Sequence, residues 1–161
     1  MLKRAPVRPL LLMALWLAGS ATAQVGPKRL APLSEKTQLC ILAAAQHQRV
    51  SPQLLEAIVR HESRGQPLTV LRNRNGSLDV GLMGINSVHF PELFSQGVAP
   101  QDLLDECVAV SVGAWKLAKK IARHGYTWWA IGAYHSETPQ HNLRYQHKIH
   151  EQLVAMGAFR P

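Results

Sequence analysis

Cysteine and acidic residues are the scarce components of this chain. Two Cys and 10 Asp plus Glu stand against 18 Lys plus Arg in 161 residues, and aromatic residues make up only 6%. The cysteines form no CxxC pair, which argues against a redox-active couple. Gly 11 and Pro 10 are too few for a collagen-like or low-complexity chain, and 47% hydrophobic residues are too many for a disordered one. Beyond residue 18 no apolar run approaches the roughly 20 residues of a membrane span, and no internal repeat is visible. The length suits a single domain.

What is present starts with a leader. Lys3, Arg4 and Arg8 precede the apolar run of residues 10–18, which Gly19 and Ser20 break and Ala21-Thr22-Ala23 follows. A basic start, a short apolar core and small residues in that order describe a signal peptide over residues 1–23, cut after Ala23. The mature chain then keeps 15 basic and 10 acidic residues, a net +5, and no stable membrane span. An exported chain meets an oxidising compartment, so Cys40 and Cys107 are expected to form a disulfide. Residues 24–35 read as a loose segment, and residues 36–161 as the folded domain.

The apolar spacing of that domain is mainly helical. An Ala/Leu-rich helix contains Cys40 and ends near Arg49. Ser51-Pro52 offers a capping hydroxyl and a proline at the first helical position, and Leu54, Leu55, Ile58 and Val59 follow at helical spacing. Between residues 72 and 85, Asn73, Asn75-Gly76 and Gly81 bring turn chemistry, suited to a loop with a small β-hairpin. A long helix is expected over residues 104–124, with Val108, Val112, Trp115, Leu117 and Ile121 as its apolar set. Thr127 caps a shorter one, and a last helix covers residues 142–156. The fold class is therefore mainly α, with one irregular or hairpin excursion.

Glu62 shares a helical stripe with Leu55, Ile58 and Val59. Core-edge burial and the negative helix end both favour its protonated form, which is what a general acid needs near neutral pH. A surface carboxylate paired with Arg60, His61 or Arg64 fits the same spacing. Lys116, Lys119, Lys120 and Arg123 form a basic stripe on the long helix. Export and the lack of a nucleic-acid motif point that stripe towards anionic envelope polymers, not nucleic acid. His147 and His150 stand at i, i+3, but no Asp or Cys joins them as ligands, so no metal or other cofactor is expected. Trp128 and Trp129 could stack on a sugar or close the core edge.

Three strings occur in order: His61-Glu62-Ser63-Arg64-Gly65; then residues 73–86, which contain Gly81-Leu82-Met83-Gly84-Ile85-Asn86; then Gly132-Ala133-Tyr134. Together they closely resemble the lytic transglycosylases, peptidoglycan-cleaving enzymes with a lysozyme-like fold. The nearest likeness is to the small exported members that accompany type III and type IV secretion, conjugation and pilus assembly. The resemblance implies a periplasmic protein whose partners are glycan strands and such a transenvelope machine. It implies that Glu62 protonates the MurNAc–GlcNAc β-1,4 bond and then takes the proton of the attacking C6 hydroxyl, leaving a 1,6-anhydro sugar without a second carboxylate. Asp79 would be the partner in a hydrolytic variant. Tyr134 is expected to hydrogen-bond the acid and Ser63 to order its helix end. Gly81, Leu82, Met83, Ile85 and Asn86 would form the wall beside the sugar. Asn142 and Tyr145 match an Asn-x-x-Tyr that lines the groove or packs the last helix. Gly84 stands where the family commonly has glutamine and His135 where it has asparagine. These departures bear on substrate affinity and orientation, and keep a non-catalytic peptidoglycan-binding assembly factor as the alternative.

Overall fold

The computed structural model describes residues 30–158; the expected signal peptide, its cut after Ala23 and residues 24–29 lie outside them. The described part is mainly helical with a small antiparallel sheet, as the spacing and the resemblance predict. Helix α1 (Glu35–Gln48) begins where the Ser34 hydroxyl accepts the Thr37 amide, and ends on Arg49 in the left-handed region at φ 55°. Helix α2 (Pro52–Glu62) opens on Ser51, whose hydroxyl accepts the Leu54 amide, with proline in its first turn. Its Leu54, Leu55, Ala57, Ile58 and Val59 are buried, and it packs on α1, on α4 (Glu106–His124) and on α6 (Pro139–Ala155). Glu62, the last residue of α2, is thereby carried to the edge of the core.

Helices α1 and α4 pack along each other, and the Cys40–Cys107 disulfide joins them near the start of α4. Asp105 caps α4 by accepting the Cys107 and Val108 amides. Of the apolar set expected on this helix, Val112 and Leu117 are buried, while Val108, Trp115 and Ile121 are partly buried against the core. Lys116 departs from expectation. It is not part of a solvated basic stripe but belongs to the buried face with Ala109, Val112 and Gly113, at i+7, i+4 and i+3 from them.

The central excursion is a three-stranded meander rather than a single hairpin. Strand β1 (Val70–Arg72) pairs with β2 (Leu78–Val80), and β2 pairs with β3 (Ile85–Asn86), placing Asn86 opposite Asp79. The extra strand depends on the reversal between β2 and β3, where Gly81 has φ +74° and Gly84 φ +57°. A side chain at Gly81 would also run into the Leu103 carbonyl. Helix α3 (Phe90–Ser95), too short to stand out in the apolar spacing, leads towards α4. Thr127 caps α5 (Trp128–Ala133) as expected. Helix α6 begins three residues before the expected Asn142, because Pro139 takes its first turn. The end of the expected loose segment is tied down: Leu33 is buried, and the Arg60 guanidinium donates to the Ala31 carbonyl at 2.8 Å.

Candidate active site

The end of α2, the sheet, α4 and the α5–α6 region enclose a cavity of about 490 Å³, whose lining includes Glu62, Asp79, Asn86, Lys116, Tyr134 and His135. Four influences meet on Glu62. Burial pushes its carboxyl up to about 7, and the charge of Asp79 pushes the same way, while the Tyr145 hydroxyl and the Lys116 ammonium oppose the rise. Tyr145, on α6, donates to Glu62 Oε1 at 2.6 Å. Its own hydroxyl is raised well above the usual tyrosine range by burial, so it stays a donor. The other oxygen, Oε2, faces Gly84, where a Cβ would lie only 2.6 Å away. Gly84 thus gives the carboxyl room on its cavity side, and a side chain there would need Glu62 to move.

Asp79 is held differently. Asn73 Nδ2 donates to its Oδ2 at 2.9 Å and Asn86 Nδ2 to its Oδ1 at 2.7 Å. Both amides also reach the Ser77 hydroxyl, at 3.1 and 3.0 Å. Each Asp79 oxygen is therefore engaged by an element of the meander, whereas Glu62 carries one donor on one oxygen. The first arrangement fixes a carboxylate as a local charge, and the second leaves a carboxyl poised to exchange a proton near neutral pH.

The expected site residues separate into those at the cavity and those behind it. Glu62, Asn86 and Tyr134 line it, and the buried Tyr145 stands behind the lining with its hydroxyl on Glu62. Tyr134 does not bond the acid as expected. Its hydroxyl donates to the Met83 carbonyl at 2.7 Å, because Tyr145 already fills the position against Glu62. The two phenols stack with ring centroids 6.1 Å apart. Leu82, Met83 and Ile85 are fully buried, so they are core behind the wall and not a surface for sugar. Gly81 is buried against Leu103. Ser63 does order the helix end, its hydroxyl donating to the Val59 carbonyl at 3.0 Å and accepting the Gly65 amide at 3.2 Å. Asn142 is fully buried and holds the Trp129 and Ser136 carbonyls, each at 3.1 Å. It joins α6 to α5 and lines no groove.

His135 lies parallel to the Tyr145 ring, at 3° and 5.1 Å, and His61 meets that ring edge-on. Burial lowers both imidazoles below the usual histidine value. Lys116, Asn73 and His89 also line the cavity, and the sequence reading assigned none of them to the site. For Lys116 a signal existed, since it falls on the apolar face of α4. For Asn73 the marks were its place in a turn and at the start of the second motif string, neither of which gave it a role. Of the two late histidines, His150 packs edge-on against Trp128, and no group of three or more potential metal ligands occurs among the described residues.

Residues 39–151 match the family model of the transglycosylase SLT domain. The chain is similar to Invasion protein IagB of Salmonella typhimurium (strain SL1344), 40% identical over 117 residues that cover 70% of this chain and 73% of the relative. It is also similar to a Peptidoglycan-binding-like protein of Escherichia coli O157:H7, 32% identical over 130 residues covering 73% and 78% of the two chains. Protein IpgF of Shigella sonnei is 30% identical over 124 residues, covering 74% and 82%.

Proposed function

The chain belongs to the transglycosylase SLT domain family, and on that premise we propose that it is an active peptidoglycan lytic transglycosylase. It cleaves the MurNAc–GlcNAc β-1,4 bond and leaves a 1,6-anhydroMurNAc end. The observation that carries this reading is the Glu62 carboxyl, raised to about 7 in the cavity wall and met by one phenolic donor. In its protonated form Glu62 gives its proton to the glycosidic oxygen as the C1–O bond breaks. The carboxylate left behind accepts the Tyr145 hydrogen bond more strongly. It then takes the proton of the C6 hydroxyl, whose oxygen closes on C1. The proton returns to Glu62, and no water enters the product. Asp79, with both oxygens engaged, serves as a charge that adds to burial in keeping Glu62 protonated, not as the base for a hydrolytic water. Asn86, Tyr134 and His135 border the bound sugar, and Gly84 leaves space for the acid.

Such an enzyme works on the wall from the periplasm, after removal of residues 1–23, as a single domain over residues 36–161. No helix among the described residues is long and apolar enough to cross a membrane. The name of one relative, an invasion protein, supports local wall opening for a secretion, conjugation or pilus machine. The name of another, peptidoglycan-binding-like, supports the second reading, a non-catalytic wall-binding assembly factor. Incubating the protein with purified sacculi and identifying the released muropeptides by mass spectrometry separates them. Anhydro ends from the wild type and none from Glu62→Gln are expected. Reducing ends in their place would make it a hydrolase, and no released product would favour the binding role.

A further inference from the structure

One charge in the cavity wall bears on the proton transfers above only through its field at Glu62. Lys116 is only 8% exposed, yet its Nζ lies 4.9 Å from the Tyr134 ring centroid and the residue lines the cavity that holds Glu62. An ammonium brings three donors. Among the described residues no acceptor bonds it and no carboxylate lies within ion-pair distance; the face of Tyr134 is its one close partner. The two carboxyls in the cavity do not satisfy it. Asp79 is occupied by Asn73 and Asn86, and Glu62 is held by Tyr145 and protonates around neutrality. Burial brings Lys116 itself down to about 8, so it still carries most of its charge at pH 7.

An apolar side chain would fill this place on α4 without the desolvation that a buried cation suffers. The surroundings also choose between ligands. Arg74 shares the cavity lining with Lys116, whereas burial brings His89 down to about 4 and leaves it neutral at pH 7. A neutral sugar could accept a hydrogen bond from the ammonium but would not balance its charge. We propose that Lys116 is a substrate-binding residue whose ammonium takes a carboxylate of the muramoyl unit. That carboxylate is the lactyl group of a peptide-free strand or one carried by the stem peptide. The assignment rests on the peptidoglycan reading, since a muramoyl unit supplies the acid that an N-acetylglucosamine unit lacks.

Binding to the whole protein decides it, with three probes: peptide-free glycan strands, uncrosslinked peptide-bearing strands, and a neutral chito-oligosaccharide. Lys116→Met is expected to weaken binding of one carboxylate probe on the order of tenfold. The neutral probe should bind as it does to the wild type, which also shows that the variant is folded. Lys116→Arg should retain most of the carboxylate binding. A loss confined to the peptide-free strands assigns the lactyl carboxylate, and a loss confined to the peptide-bearing strands assigns the stem. Equal loss on all three probes, or loss on neither carboxylate probe, overturns the proposal. Absence of anhydro products from the wild type would overturn the enzymatic reading alone, because the binding comparison needs no turnover.

Discussion

Burial and the Tyr145 hydroxyl act on Glu62 in opposite directions, so the two can be separated by substitution. Tyr145→Phe keeps the buried ring and removes the donor. With burial unopposed, the carboxyl should rise further, and the basic limb of the activity profile should move up by about one pH unit or more. kcat/KM should fall on the order of tenfold, because the carboxylate formed in the transition state loses its charge-assisted hydrogen bond. An unmoved basic limb in the pH profile of muropeptide release would show that Tyr145 acts only by packing. Stability follows from the same shift. A carboxyl raised from 4.5 to about 7 binds its proton more tightly when folded. Its cost to the fold is therefore absent below about pH 4.5, grows as pH rises to 7, and levels off above that at about 3 kcal/mol. Glu62→Gln should accordingly raise the melting temperature more at pH 8 than at pH 5; a pH-independent difference would contradict the raised value. Glu62 was legible in the sequence because helical spacing and motif agree. Which of two buried tyrosines meets it was not, since Tyr134 follows the end of α5 and Tyr145 lies on α6, and only their packing decides which hydroxyl arrives.

At the scale of elements, the wall depends on how closely α4 approaches the turn between β2 and β3. Gly113 faces Met83, and a Cβ at Gly113 would lie 2.7 Å from the Met83 Cβ as well as against the end of that side chain. The methionine end can swing away, but its Cβ is fixed by a fully buried backbone, so Gly113→Ala should destabilise the fold by about 1–3 kcal/mol. A chemical-denaturation midpoint equal to that of the wild type would mean that α4 can shift freely against the turn. Local signals made the longer helices readable: Ser51 with Pro52 for α2, Thr127 for α5, and the turn asparagines for the excursion. Strand β3 has two residues and α3 six, too few for any periodicity to emerge. The side chains behind Tyr134 show the same limit. Leu82, Met83 and Asn142 belong to motif strings, yet they serve the site by supporting its wall from within the core.

The molecule as a whole is small, and its sheet contributes little core, so the joint between α1 and α4 matters for global stability. That joint combines helix packing with the Cys40–Cys107 disulfide, whose ends are 67 positions apart. It is strengthened by polar contacts that the cysteine count gave no hint of: Lys36 pairs with Asp105 at 2.8 Å, and Thr37 and Ser34 donate to Glu106. Exposed pairs of the Lys36–Asp105 type contribute little, whereas a covalent link closing so long a loop restricts the unfolded chain by about 4 kcal/mol on the chain-entropy model. Cys40 is buried and Cys107 exposed, so the bond is open to a reductant from one side. Reduction, or replacement of both cysteines by alanine, should therefore lower the unfolding free energy by about that amount and leave the cavity chemistry in place in the molecules that remain folded. Two measurements check this: thiol titration in denaturant, which should find no free thiol before reduction and two after it, and equilibrium unfolding with and without reductant. Two free thiols in freshly purified, unreduced protein would remove the staple. An unchanged unfolding midpoint on reduction would assign the stability of the α1–α4 joint to packing alone.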